Sequence, residues 1–237
     1  MQKESWERVD QWWAELFGLP VSMVWQKGVT VSFHAALHDY PGIFVAGRGK
    51  SVHVSLPEWA DERLAEKIRK HDIDQLMERK FWQEWGPTSD GHKVSSIRVH
   101  AYTDVQHDAP RKVEQIPFSD IAHWQDLVSP KKWELSGFAD HVSRVFAVRS
   151  GEHIAAVAGL SSFLSTSSSV GVLTHPKYRG KGYAAPVTKA ATAYAVRNEG
   201  IARYRYEEDN PRSQGVGTSL KFEDYARQLA IVPKHLA

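Results

Sequence analysis

The chain contains no cysteine. That excludes disulfide bonds, thiolate nucleophiles and cysteine-built metal centres. It also lacks any apolar run near the roughly 18–20 residues that a membrane-spanning helix needs. Its opening, MQKESWERVDQWWAELFGLP, mixes acids, bases and tryptophans, the pattern of an amphipathic helix and not of a signal peptide. Charge of one sign is scarce too: a net charge of +2 over 237 residues is too even for the basic stripe of a nucleic-acid binder. No internal repeat and no low-complexity segment is present. These absences lead to the expectation of a cytoplasmic protein with neither a membrane nor a nucleic-acid partner.

What is present is an ordinary globular composition, 42% hydrophobic and 24% charged, with enough length for a sizeable core. A polar, proline-containing stretch, DVQHDAPRK, suggests a boundary near residue 110. Residues 1–110 read as a smaller α/β domain of unassigned role, and 111–237 as a second α/β domain. In the first part, a helix is expected around Trp6–Phe17. GVTVSFHAAL and GIFVAGRGKSVHVSLP read as strands, the latter a hairpin turning at Gly47–Lys50. WADERLAEKIRKHD and DIDQLMERKFWQEWG read as helices and KVSSIRVHAYTD as a strand.

In the second part, VEQIPFSDIAHWQDLVS reads as strand then helix, and SRVFAVRSGEHIAAVAGLSSF as a hairpin. SSSVGVLTHP is a strand, and YAAPVTKAATAYAVRNEG a helix with Val187, Ala191, Tyr194 and Ala195 on one face and Gly200 as its stop. IARYRYEED, RSQGVGTSLKF and YARQLAIV complete the order as strand, glycine-weakened helix and strand.

Three constellations could carry chemistry. His34 and His38 stand four apart, but no acid lies between them and no third ligand is evident, so no metal is expected. GRGKS at Gly47–Ser51 imitates a phosphate loop, but Phe44 occupies the partner glycine's place and a strand follows, so it reads as a hairpin turn. The third is THPKYRGKGYAAPV, Thr174–Val187. It lies between a strand and a helix, where backbone N–H groups lack partners and the helix dipole favours an anion. Gly180 and Gly182 allow close approach and positive φ. Between Lys177 and Arg205 there are seven cations (Lys177, Arg179, Lys181, Lys189, Arg197, Arg203, Arg205) and one acid, Glu199. The loop reads as a phosphate cradle. It is not a dinucleotide fingerprint, because Ala185 replaces the third glycine.

VGVLTHPKYRGKGYA resembles the acetyl-CoA loop of the GCN5-related N-acetyltransferases (GNAT family), R/Q-x-x-G-x-G/A, as Arg179-x-x-Gly182-x-Ala184. Downstream, Asn210, Ser213, Leu220 and Phe222 in EEDNPRSQGVGTSLKF resemble the family's Asn-x-x-Ala/Ser…Gly-Phe motif, with Lys221 in place of glycine. RYRYEEDN and the residues after it look most like the FR47-like branch. The resemblance covers about 125 residues and the order β-β-β-α-β-α. It implies a mixed, splayed sheet flanked by helices, and acetyl transfer from acetyl-CoA to a primary amine. The acceptor would be a small molecule or a peptide. No metal is implied, and a homodimer is compatible with it.

The resemblance also implies roles. Val172, Leu173 and Thr174 would pair with the pantetheine arm and bond the thioester carbonyl. Gly180, Lys181, Gly182, Tyr183 and Ala184 would wrap the pyrophosphate, with Arg179 and Lys181 near the phosphates. Asn210 and Ser213 would reach the arm from the other side. The family's usual acid and base do not carry over, since their positions are Gly217 and Arg205. Glu207, Glu208 and Tyr225 are the candidates by proximity. Two alternatives stay open: an acyl-CoA-binding module without catalysis, and an acyltransferase using another acyl chain or an alcohol acceptor.

Overall fold

The computed structural model describes residues 1–89, 91–139, 142–162 and 168–236. Phe163 and Ser167, expected at strand ends, lie outside these. The elements in chain order are α1 (Lys3–Phe17), β1 (Gly28–Phe33), β2 (Ile43–Arg48), β3 (Ser51–Leu56), α2 (Glu62–Ile68), α3 (Ile73–Leu76), α4 (Arg79–Glu84), α5 (Gly86–Ser89), β4 (His92–Val94), β5 (Arg98–Thr103), β6 (Val113–Ile116), α6 (Pro130–Leu135), β7 (Val142–Ser150), β8 (His153–Ser162), β9 (Ser168–Thr174), α7 (Ala184–Glu199), β10 (Ala202–Glu207), α8 (Pro211–Ser219) and β11 (Glu223–Pro233). The chain forms two compact units. One holds Met1–Ser5, Ala101–Tyr206 and Asn210–Asp224; the other holds Trp6–His100, Glu207–Asp209 and Tyr225–Ala237.

In the unit built mainly from the N-terminal residues, the strands run in the order β1-β3-β2-β11, with β4 also on β11. β1 is parallel to β3, and β2 and β3 form the expected hairpin, with Arg48 opposite Ser51 across Gly49–Lys50. The GRGKS decoy is therefore a turn. In α1, Val9, Trp12, Trp13, Leu16 and Phe17 recur at helical spacing and are all buried. Ile43, Val45, Val54 and Leu56 pack with Ile68, Leu76 and Trp82 of the helices and Leu229 and Ile231 of β11.

The single helix expected over DIDQLMERKFWQEWG is two. The Trp82 indole N–H donates to the Leu76 carbonyl at 2.8 Å, the acceptor that a continuous helix would use for its own backbone, and Glu78 is extended. His34 is a structural histidine: its Nδ1 meets Ser55 Oγ at 2.7 Å and its Nε2 the Gly42 carbonyl at 2.9 Å.

The other unit carries the sheet β5-β10-β9-β8-β7-β6. β6 to β9 are antiparallel neighbours, and β10 is parallel to β9. Helix α7 covers one face with Val187, Ala190, Ala191, Ala195 and Val196 buried, and Gly200 ends it at φ 76°. The opposite face is closed by Ile121, Trp124 and Phe138 over Val145, Val157 and Leu173. The helix expected over IAHWQDLVS is instead two 3₁₀ turns, Phe118–Asp120 and Ala122–Leu127. After them comes α6, which pattern reading missed. Its signal was Ser129-Pro130: the Ser129 hydroxyl accepts from the Lys132 N–H at 3.3 Å, and proline at the first helical position needs no donor.

Candidate active site

β9 and β10 pair only at their starts. Ser168, Ser169 and Val170 face Ala202, Arg203 and Tyr204, and the register ends there. On its other side β9 stays paired with β8 as far as Thr174. Gly171–Thr174 therefore present one free backbone edge, roughly 13 Å long at about 3.3 Å per residue. An extended chain bearing amides can add to such an edge. Val172, Leu173 and Thr174 lie along it. Their side chains alternate: Leu173 joins the core under Trp124, so Val172 and Thr174 point to the face that α7 covers.

Thr174 leads into the loop. The 3₁₀ turn Pro176–Tyr178 is capped by His175, whose Nδ1 accepts from the Lys177 N–H at 3.2 Å. Burial, then the nearby charges of Lys177 and Arg179, hold the His175 imidazole below its ordinary pKa. Tyr178 is buried and pins the turn. The Lys177 and Lys181 ammonium groups lie 5.9 and 5.6 Å from its ring centre, and the Tyr183 ring is 6.0 Å away. Arg179 Nε donates to the Thr174 carbonyl at 3.4 Å, which ties the loop back to the end of β9.

Gly180 and Gly182 sit at φ 76° and 80°, in the left-handed region, and a Cβ on either would meet nothing within 4 Å. Among the described residues, no protein acceptor receives the N–H groups of Gly180, Lys181, Gly182 or Tyr183. Ala184 then opens α7, which has no side-chain cap at its N-terminus. Successive amide donors at alternating left-handed positions, a helix N-terminus and three exposed cations make an anion-binding concavity. The residues present fit the pyrophosphate of a coenzyme, and the free edge of β9 leads away from it.

Asn210 and Ser213 lie in the same unit, at the start of α8, which packs beside α7. Asn210 Oδ1 accepts from the Ser213 N–H at 3.2 Å. Tyr204, the last residue of β10 that pairs with β9, sets its ring against Gly217 of α8 and against Phe222. Burial is the main reason the Tyr204 phenol lies above its ordinary pKa. Gly217 carries its own explanation. A Cβ there would lie 3.3 Å from the Tyr204 ring, so even a methyl group requires the ring to give by a few tenths of an ångström.

Glu207 and Tyr225 belong to the other unit. Glu207 ends β10 and, by strand alternation, shares its face with Arg203 and Arg205. Arg203 is buried, and its Nε approaches Ser169 Oγ at 3.4 Å. Glu208 is paired with Arg227 at 2.7 Å. The Tyr225 hydroxyl donates to Asp10 Oδ1 and accepts from the Trp25 indole at 2.7 Å. Its ring is stacked on Trp6 and lies 4.0 Å from the Arg48 guanidinium. Burial, then the hydrogen bond to Asp10, push the Tyr225 phenol well up. Among the described residues no group of three or more metal-ligating side chains is present, and no helix is long and apolar enough to cross a membrane.

A parallel strand pair that splays, with an anion-holding loop and helix after the first strand, is an α/β arrangement that offers a phosphate-bearing ligand a place at the carboxyl ends of its strands. The sequence model of the acetyltransferase (GNAT) domain matches residues 64–223, and the chain belongs to that family. Among solved structures, a GNAT-family protein from Novosphingobium aromaticivorans is similar at 18% identity and TM-score 0.45, over 60% of this chain and 67% of that one. An acetyltransferase from Colwellia psychrerythraea is similar at 13% identity and TM-score 0.45, over 60% and 57%. A Drosophila protein is similar at 16% identity and TM-score 0.48, over 76% and 61%. The chain thus spans between 57% and 67% of these neighbours' own lengths. A comparison with curated proteins finds no match.

Proposed function

We propose that the protein is an N-acetyltransferase that moves the acetyl group of acetyl-CoA to a primary amine, on a small molecule or a peptide. The observation that carries this reading is the free edge of β9, ending in the donor-rich turn at Gly180–Tyr183. Those amides, with Arg179 and Lys181, hold the phosphates. The backbone of Val172–Thr174 holds the amide-bearing arm, with Asn210 and Ser213 on its far side. Acetyl-CoA supplies an activated thioester carbonyl. The C–N bond to the amine forms, the C–S bond breaks, and CoA leaves as the thiolate while the amine loses a proton.

The protein orients the reactants and removes that proton. No protein nucleophile is required, which suits a chain without cysteine. In this reading Glu207 is the base. Tyr225, with its hydroxyl already committed to Asp10 and Trp25, is a packing residue of its own unit.

A second reading, an acyl-CoA-binding module without turnover, draws support from Gly217 and Arg205 at the positions where the family's acid and base usually stand. One pair of measurements tests both. Thermal shift with acetyl-CoA, CoA, ATP and NAD asks whether the loop holds a coenzyme, since a ligand of the folded state raises the midpoint. Thiol release over an amine panel asks whether transfer follows, and no protein thiol contributes background. Stabilisation by ATP or NAD but not by CoA overturns the proposal. Stabilisation by CoA without thiol release with any amine favours the binding module.

A further inference from the structure

Resting on this reading, we infer that the turn after α6, Ser136–Gly137–Phe138, gauges the length of the acyl chain and confines the protein to the acetyl group. An arm that leaves the Gly180–Gly182 turn and adds to the edge of β9 runs from Thr174 back towards Gly171. It stops where β10 rejoins β9, at Val170 and Tyr204, because there the edge is already paired. The end of the arm, with its acyl group, therefore falls at Gly171.

That level is closed on the face opposite α7. A Cβ placed on Gly171 would lie 2.0 Å from the Ser136 carbonyl oxygen and 3.4 Å from Gly137 Cα. The turn thus rests on β9 with no room for even one methyl group. Gly137, at φ 79°, brings the backbone down onto the strand. Phe138 seats the turn. It is 2% exposed, and its ring would lie 3.1 Å from a Cβ on Gly159, the β8 residue paired with Gly171. The two glycines facing each other across β8 and β9 admit the turn, and the turn takes the space a longer acyl chain would need. Phe138 is accordingly a positioning residue. It acts through the backbone of Ser136 and Gly137.

The test is equilibrium binding by calorimetry with CoA, acetyl-CoA and butyryl-CoA, which requires no acceptor. Wild type is expected to bind butyryl-CoA at least tenfold more weakly than acetyl-CoA. In Phe138→Ala that ratio should fall below threefold, because the turn can withdraw. Lost packing alone would weaken all three ligands together and leave the ratio in place. Should Phe138→Ala fail to fold, Phe138→Leu is read the same way, with a ratio between the other two. Equal affinity for acetyl- and butyryl-CoA in wild type overturns the inference and leaves the proposed function standing. A ratio unmoved in a folded Phe138 variant does the same. No binding of any CoA removes both.

Discussion

The turn at Gly180–Tyr183 makes a quantitative demand on Gly182. Its φ of 80° is a conformation that costs an L-residue about 1–2 kcal/mol. Because a Cβ there meets nothing within 4 Å, Gly182→Ala adds strain without a clash. The variant should fold, with its midpoint lowered by roughly 2–8 °C for a chain of this size. If its backbone relaxes to negative φ, the amides of Lys181, Gly182 and Tyr183 no longer face one point, and ligand must restore the strained form. Restoring it costs the same 1–2 kcal/mol, so CoA should bind about 5–30-fold more weakly. Gly182→Val, with a β-branched side chain in the cradle, should lose detectable binding. Gly151→Ala is the control. Gly151 also sits at positive φ, 62°, with open space around it, in the β7–β8 turn. It should show the stability loss and none of the affinity loss. Calorimetric titration with CoA, beside thermal melts, separates the two effects. A Gly182→Ala that melts at the wild-type midpoint, and so has relaxed, yet binds CoA like wild type would refute the placement of the phosphates, as would a folded Gly182→Val that binds normally.

Other expectations follow from the same geometry. Gly171→Ala drives a methyl group to 2.0 Å from the Ser136 carbonyl and should destabilise the fold by about 1–3 kcal/mol or more, read as a lower urea midpoint; an unchanged midpoint would show that the turn does not rest on β9. His53, on β3 against Phe17 and Ser32, has its pKa pushed down to about 3 by burial, against 6.5 when exposed. The unfolded chain therefore binds the proton first, and stability falls with pH between those values by about 1.4 kcal/mol per unit, or about 2 kcal/mol from pH 7 to 5. His34, also lowered mainly by burial, acts in the same direction. Urea unfolding at both pH values measures the loss, and His53→Gln with as steep a profile as wild type would clear His53. Glu207→Gln should lower turnover at least tenfold and leave acetyl-CoA affinity unchanged; a pH–rate profile that keeps its acid limb would remove Glu207 as the base.

How much of this was legible beforehand depended on whether the cause was local. The amphipathic face of α1, the Arg48–Ser51 turn and the end of α7 at Gly200 are each set by a few neighbouring residues, and pattern reading found them. The Thr174–Val187 loop was legible for the same reason, since glycines, cations and a helix start declare themselves within fourteen residues. The splitting of α3 from α4 was not, because it depends on the Trp82 indole taking a carbonyl six residues back. The splay was legible only through the family resemblance, which implied it; residue patterns alone do not show that β10 leaves β9 after Tyr204, a fact about two strands separated by a whole helix.

The missing general acid shows the limit most clearly. Pattern alone could report that Gly217 stands where a tyrosine is usual, but not why. In the fold, the Tyr204 ring already fills the space beside Gly217. A tyrosine ring thus stands beside α8, carried by β10 instead of by the helix. Its burial keeps the phenol protonated, which is the state a donor to a leaving thiolate needs. Tyr204→Phe is therefore the decisive companion to Glu207→Gln. It removes one oxygen and little volume. If Tyr204 only packs against Gly217 and Phe222, thiol release will match wild type at every pH. If it protonates the leaving group, turnover falls at least tenfold while CoA affinity holds, and a CoA thioester with a more acidic leaving thiol recovers the rate.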